Sequence, residues 1–242
     1  MQGLIDGDIV LYRTACSAEK DDLGIAIYRV DELLDNILNK TQVDSYKMWL
    51  SSSTNFRNTI YPEYKGNRKA ERPRHLPDLR NYALEKLGAE ISTDGLETDD
   101  ELTIHHDANS IICSLDKDLL QSPGLHFSWE ISGGTPDKRW VKPDTFTTIT
   151  EFEGLQRLYT QILKGDVSDN IKGAEGIGEV KSKAIVKDCK TEKEFIESCL
   201  EHFASEEEFL MNAQCIYLLR SYEDSYLTRY ERVINEDNSS EG

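Results

Sequence analysis

Four groups of carboxylates stand along this chain at spacings that chemistry could use. Asp6 sits within the first apolar run, GLIDGDIVLY. Glu97, Asp99 and Asp100 crowd the stretch GLETDDEL, Asp116 and Asp118 the stretch SLDKDL, and Asp166 and Asp169 the stretch KGDVSDNI. Hard cations such as Mg²⁺ take oxygen ligands and keep several waters. Two such ions about 3.5–4 Å apart can activate a water and stabilise the leaving oxygen of a phosphodiester. That chemistry needs carboxylates brought together from distant segments. Any one group alone also reads as acidic residues that favour a helix dipole and bind nothing. Four groups, three of them at strand ends or tight turns, weigh toward a metal site. Asp166 and Asp169 are three apart, so on a helical turn they would share a face.

Two further segments could meet phosphate. In GDVSDNIKGAEGIGEVKSKAIV, Gly176-Ile177-Gly178 precedes a helix expected to start near Glu179, with Lys181, Lys183 and Lys187 on it. Exposed N–H groups at a tight turn and a helix N-terminus suit an anion. The pattern is of the helix–hairpin–helix type, which grips a DNA backbone without reading sequence; its plainer reading is a helix cap and turn. Residues 56–74, FRNTIYPEYKGNRKAERPR, interleave aromatics with cations. Arg57, Lys65, Arg68, Lys69, Arg72 and Arg74 could meet phosphates, and Tyr61 and Tyr64 could stack on an unpaired base. The alternative is a solvated surface loop. The chain carries a formal charge of −17, which argues against a polyanionic partner on average, but binding is local. Residues 57–86 hold eight Lys/Arg against four Asp/Glu, whereas residues 190–242 hold five against thirteen. A basic island in an acidic chain is consistent with a phosphate-bearing partner.

The elements that must position these groups read as follows. Residues 3–12 form a short buried strand broken by Gly7. Val30, Leu33, Leu34, Ile37 and Leu38 fall at helical spacing over 30–39. Strands are expected at 45–51, 110–115 and 125–131, with helices at 77–87 and 98–108. Pro77 lies in the first turn of the former and Gly88 just past its end. Residues 52–75 read as a long loop or a mobile helical arch, and everything from 151 onward reads as helical. Strands alternating with helices imply an α/β fold with a central, mostly parallel sheet flanked by helices, followed by a helical C-terminal part.

The 242 residues are enough for a sizeable core. No run of 18 apolar residues marks a membrane span, and the N-terminus lacks the basic region of a signal peptide. Five cysteines with no CxxC pair suggest reduced thiols and a cytoplasmic protein. His105 and His106, adjacent on a helix, would point apart and make a poor joint ligand pair. Trp49, Trp129 and Trp140 are expected in the core or at its edge.

Taken in order, these motifs resemble those of the flap endonuclease and 5′-nuclease superfamily, and within it the phage 5′→3′ exonucleases. The likeness spans roughly Leu4 to Val186. It rests on LIDGDIVLYR, NFRNTIYPEYKGNR, GLETDDEL, SLDKDLLQ and LKGDVSDNIKGAEGIGEVKSKAIV, the last resembling a helix–three-turn–helix. The resemblance implies Mg²⁺-dependent cleavage near DNA 5′ ends, exonucleolytic or at flaps, on duplex, nicked, gapped or flapped substrates, in a host cytoplasm if phage-encoded. It implies two Mg²⁺ ions, with Mn²⁺ able to substitute. Asp6, Glu97 and Asp99 would surround one, with Asp100 acting through water. Asp116, Asp118, Asp166 and Asp169 would surround the other. Lys65 and Arg68 match residues that engage the scissile phosphate, and Tyr64 a neighbouring aromatic; Arg57, Lys69, Gly176, Gly178, Lys181 and Lys183 would bind DNA. The implied organisation is a catalytic region over 1–150 including an arch at 52–76, a helical DNA-binding region over 151–235, and a disordered tail over 236–242. One position departs from the pattern: the Asp expected after the second strand is replaced by Ser51 to Ser53. Asp8, two residues after Asp6, is a candidate replacement ligand, against the alternative that it faces solvent or caps a turn. Two other readings stay open: a DNA-junction binder with weak or no catalysis, and a phosphatase using Asp6-Gly-Asp8 as an aspartyl nucleophile.

Overall fold

A computed structural model describes residues 1–135 and 137–235 of the chain. The tail expected to be disordered, 236–242, lies outside the described residues. In chain order the elements begin β1 (Gln2–Asp6), α1 (Gly7–Ser17), α2 (Leu23–Thr41) and β2 (Ser45–Leu50). A single helical turn, α3 (Arg57–Ile60), precedes α4 (Leu76–Lys86), β3 (Glu90–Ile91), α5 (Thr98–Ile104) and β4 (Ser110–Cys113). Then come β5 (Gly124–Ser128), β6 (Ile131–Thr135), β7 (Lys138–Lys142) and β8 (Thr145–Ile149). The C-terminal part holds α6 (Glu151–Lys164), the short strands β9 (Gly165–Asp166) and β10 (Ile171–Lys172), and helices α7 (Glu179–Val186), α8 (Glu192–Leu200), α9 (Glu206–Ile216) and α10 (Tyr226–Asn235).

The chain forms two compact units, Met1–Thr54 with Glu71–Ile149, and Asn55–Ala70 with Thr150–Gly242. Residues 55–70 pack with the second unit, whereas the sequence reading grouped the arch with the first 150 residues.

The first unit is built on a six-stranded sheet in the order β3-β2-β1-β4-β5-β8. All neighbours are parallel except β5 and β8. Parallel strands covered on both faces read as continuous apolar runs, and GLI, MWL and IIC are such runs; Leu4, Ile5, Met48, Leu50, Ile111 and Cys113 are buried. Val10, Leu11, Val30, Leu34, Ile37, Leu79 and Ala83 from α1, α2 and α4 close the core.

The expected strand over 3–12 ends at Asp6 instead. Asp6 caps α1, accepting from the Ile9 N–H at 3.0 Å, and Asp8 lies in the first turn. Gly7 starts the helix rather than breaking a strand, because the turn passes close to β2: a Cβ at Gly7 would lie 2.4 Å from the Trp49 carbonyl oxygen. The strands β6, β7 and β8 were not anticipated. Trp49 and Trp129 are core residues, but Trp140 on β7 is half exposed.

The second unit is largely helical. Thr150, Thr191 and Ser205 cap α6, α8 and α9, each accepting from an N–H three residues on. Leu158, Tyr159, Ile162, Phe195, Cys199, Phe209 and Ala213 are buried, and the rings of Tyr159 and Phe195 stack with centroids 5.3 Å apart. Asp166 and Asp169 do not share a helical face. They lie in the β9–β10 turn, where Asp166 Oδ1 accepts from the N–H groups of Ser168 and Asp169 and so closes an Asx turn. No described helix is long and apolar enough to cross a membrane.

Candidate active site

In open α/β sheets, reactive groups collect outside the carboxyl ends of the parallel strands. In the first unit, β1 and β4 are neighbours, and their carboxyl ends carry Asp6 and the run Ser114–Asp118. Ser114 ties them together. Its hydroxyl donates to Asp6 Oδ2 at 2.6 Å and accepts from the Asp116 N–H at 2.9 Å. Asp116 in turn accepts from the Asp118 N–H at 2.9 Å, which folds the DKD segment into a tight turn. Asp6 is 1% exposed. Burial, with Asp8 and Asp116 adding repulsion, pushes its carboxyl up to about 7 against the pull of its hydrogen bonds to Ser114 and Ile9.

Asp8, near the position of the missing carboxylate after β2, is engaged by three donors. Its Oδ1 meets the Arg80 guanidinium at 2.7 Å. Its Oδ2 accepts from the Ser51 N–H and from the Thr98 hydroxyl, each at 2.9 Å. Arg80 also donates to the Ser51 carbonyl at 2.9 Å, and the Thr98 N–H donates to the Ser51 hydroxyl at 3.0 Å. Asp8 thus anchors the segment after β2 to the start of α5. Sequence reasoning missed Arg80, Thr98 and Ser114. Nothing in their spacing marks them, since each acts on a carboxylate far away in the chain.

Glu97, Asp99 and Asp100 sit at the N-terminal turn of α5. Glu97 and Asp99 are half-buried and Asp100 is fully buried. Asp100 accepts from the Glu97 N–H at 3.2 Å, a cap that favours the helix start. The neighbouring Glu101, also buried, accepts from the Thr93 N–H at 2.7 Å. His105 packs against Trp49, while His106 faces Ser122 and His126, so the two diverge as expected. Among the described residues, no three His, Cys, Asp or Glu side chains converge closely enough to hold a metal ion. The carboxylates of this unit are hard oxygen donors, and Asp6, Asp100, Glu101 and Asp116 are each held by a hydroxyl or backbone N–H.

In the second unit, Asp169 organises the basic segment. It accepts from the Tyr64 hydroxyl at 2.8 Å, pairs with Arg68 at 2.7 Å, and lies 3.7 Å from the Lys65 ammonium. Its carbonyl accepts from the Lys65 N–H at 2.9 Å. Lys65 adopts φ +56°, and its ammonium lies over the Tyr64 ring at 5.0 Å. Asn67 and Asn170 add bonds between the same two segments.

Two expectations need correction here. Arg57 does not face solvent: it is 1% exposed and donates to the carbonyls of Cys215 and Tyr217. Tyr64 is 6% exposed, so its ring is not open for stacking. Both were read as surface residues because their partners lie 100 or more positions away. Lys69 is exposed.

Gly178 caps α7, and Gly176 adopts φ +70°. A side chain at Gly178 would meet nothing within 4 Å. Lys181 donates to the Gly176 carbonyl at 2.9 Å. Lys183 pairs with Glu179 at 2.7 Å and Lys164 with the same carboxylate at 3.0 Å, which holds Glu179 down at about 2.

Comparison with known proteins assigns the chain to a family. The family model for the 5′-3′ exonuclease N-terminal resolvase-like domain matches residues 2–130, more than half of the chain. A 5′-3′ exonuclease of Buchnera aphidicola subsp. Schizaphis graminum is 33% identical over 197 residues, covering 72% of this chain and 66% of that protein. A 5′-3′ exonuclease of Bacillus subtilis is 26% identical over 216 residues, covering 81% and 72%. DNA polymerase I of Bacillus caldotenax is 30% identical over 195 residues, where the chain spans 22% of the polymerase. Among solved structures, a bacteriophage T5 flap endonuclease in a pseudo-enzyme–product complex with DNA and metal ions aligns with a TM-score of 0.64 at 17% identity, over 90% of this chain and 89% of that one. A T5 5′-exonuclease with bound zinc aligns with a TM-score of 0.56 at 18% identity, over 89% of each chain. At such identities the structural likeness is one of fold. The aspartyl-nucleophile phosphatase reading is thereby displaced: the chain belongs to the 5′-3′ exonuclease and flap endonuclease family.

Proposed function

We propose that this chain is a divalent-metal-dependent hydrolase that cleaves phosphodiester bonds near the 5′ ends of DNA, by exonucleolytic steps and at flaps. The observation that carries the reading is the pair of neighbouring strand ends in the first unit, where Ser114 links Asp6 to the Asp116–Asp118 turn. Asp6, Glu97, Asp99, Asp116 and Asp118 would supply the ligands for Mg²⁺, drawn closer together by the ion than they lie in this structure. Their donor set suits a hard cation, and the burial, with added repulsion from Asp8 and Asp116, that lifts Asp6 to about 7 disfavours an anion that a divalent charge would stabilise. When bound, such ions stabilise charge on phosphoryl oxygens and make water a stronger nucleophile.

The chain's own residues do the rest. Ser114 orients Asp6. Arg80 and Thr98 hold Asp8 and, through it, the segment after β2. In the second unit, Lys65 and Arg68 would meet the scissile phosphate. Asp169, already shared by Tyr64, Lys65 and Arg68, serves them as an anchor rather than as a ligand. Asp166 keeps its role as the turn-former of that loop. The α6–α7 segment, with Gly176, Gly178, Lys181 and Lys183, would act as a helix–hairpin–helix grip on the duplex backbone.

The test is incubation with 5′-end-labelled duplex in Mg²⁺. The expected result is release of label, abolished in Asp118→Asn with DNA binding nearly intact. A second reading, a DNA-junction binder with little catalysis, draws support from the serines at 51–53. Where the family pattern has an Asp, this chain has the run Ser51 to Ser53, of which Ser51 is engaged with Thr98. Binding without cleavage in Mg²⁺ or Mn²⁺ would select it.

A further inference from the structure

The β6–β7 hairpin forms its own two-stranded ribbon, separate from the main sheet, and β7 is exposed along its whole length. The register pairs Ile131 with Lys142, Gly133 with Trp140 and Thr135 with Lys138. Strand side chains alternate, so Lys138, Trp140 and Lys142 share one face while Arg139 and Val141 take the other. The indole lies across Gly133, where an added Cβ would come within 2.7 Å of the ring. One ring face therefore rests on backbone, and the residue stays 50% exposed. At ~3.4 Å per residue, the two lysines stand about 7 Å along the strand on either side of it. Of the acidic residues next to it in sequence, Glu130 precedes the hairpin, Asp137 lies at its turn, and Asp144 is paired with Lys40 at 2.7 Å. A flat aromatic between two cations is the arrangement that stacks an unpaired base and meets its flanking phosphates. In a chain of charge −17, a polyanion is held only where such local cations outweigh the average field.

We propose that this hairpin is an accessory contact for single-stranded DNA, with one base on Trp140 and adjacent phosphates on Lys138 and Lys142. The inference rests on the proposed nuclease function only for the identity of the strand. Because Trp49 and Trp129 are 2% and 3% exposed, Trp140 emission reports the contact. The experiment titrates the full chain with a thymidine oligonucleotide in EDTA and follows tryptophan fluorescence. The expected result is saturable quenching that weakens with salt. Trp140→Ala should abolish the quenching and weaken binding roughly 5- to 160-fold, the range of base–aromatic stacking, and Trp140→Phe should restore most of the affinity. Lys138→Glu combined with Lys142→Glu keeps the indole and should also weaken binding. No quenching at saturating oligonucleotide, or wild-type affinity in both the Trp140→Ala and the double lysine variants, overturns the proposal. The readout uses no cleavage. Quenching in a chain that releases no label from duplex would therefore defeat the nuclease reading and leave this one standing, and the reverse pattern would do the opposite.

Discussion

Arg80 meets the Asp8 carboxylate at 2.7 Å and, with its other terminal nitrogen, donates to the Ser51 carbonyl at 2.9 Å. A cation thus holds together the two positions at which a replacement metal ligand would be sought. Asp8→Asn should leave the Mg²⁺ concentration for half-maximal cleavage unchanged, while lowering stability by about 1–3 kcal/mol through the broken hydrogen bonds. Thermal unfolding and a Mg²⁺ titration of the same variant separate the two effects. A raised Mg²⁺ requirement at wild-type stability would make Asp8 a ligand after all.

Asp6 gives the chain a pH dependence. Its carboxyl rises from 3.8 to about 7, chiefly through burial. Across that window the folded chain binds the proton more tightly than the unfolded chain does. Stability should therefore fall as pH rises from about 4 to about 7, by a few kcal/mol in the absence of divalent ions. Asp6→Asn should flatten this slope. Added Mg²⁺ should raise the melting temperature more at pH 8 than at pH 5. A melting profile in EDTA that is level from pH 5 to pH 8 would contradict the assignment.

Lys65 is held in place by Asp169 and Tyr64. If it stabilises charge developing on the phosphate, Lys65→Ala should lower the single-turnover rate on the order of 10²–10³ with little loss of affinity. Asp169→Asn keeps a hydrogen-bonding group but loses the charge that fixes Lys65 and Arg68. It should slow cleavage less than Asp118→Asn does, without raising the Mg²⁺ requirement. Equal losses of rate and affinity in Lys65→Ala would reduce that residue to a DNA tether.

Gly178 provides a clean test of the backbone grip. Its backbone is extended and the space beside it is open, so Gly178→Val should fold normally. Gly176, at φ +70°, would be strained by any side chain and cannot serve. If phosphate approaches the α7 N-terminus, Gly178→Val should weaken duplex binding, most visibly at higher salt. Wild-type affinity over a salt series would remove this turn from the DNA interface.

The outline of the fold was legible where apolar runs and caps coincide, as in β1, β2, β4 and the Pro77 start of α4. The strand expected over 7–12 is a helix because the four-residue apolar run Ile9–Tyr12 carries no decisive period. The capping signal of Asp6 and Asp8 was present but was outweighed by the run itself. The acidic groups were legible because clustered carboxylates are rare by chance at strand ends. Their partners were not. Arg80, Thr98 and Ser114 act across the sheet edge, and Arg57 and Tyr64 look like surface residues until the chain that covers them is folded.

The excursion of residues 55–70 into the second unit has a consequence for the order in which the protein is made. Arg68 and its anchor Asp169 are 101 residues apart. At ~5–20 residues per second of synthesis, that is a wait of roughly 5–20 s. During the wait the basic segment leaves the ribosome with no anchor to close on, while the remaining strands of the first unit's sheet, β3, β4, β5 and β8, emerge and can pair. The cationic loop is therefore among the last pieces to be fixed in place. A nascent chain halted near residue 150 would carry the carboxylates of the sheet edge without the ordered cations of the second unit.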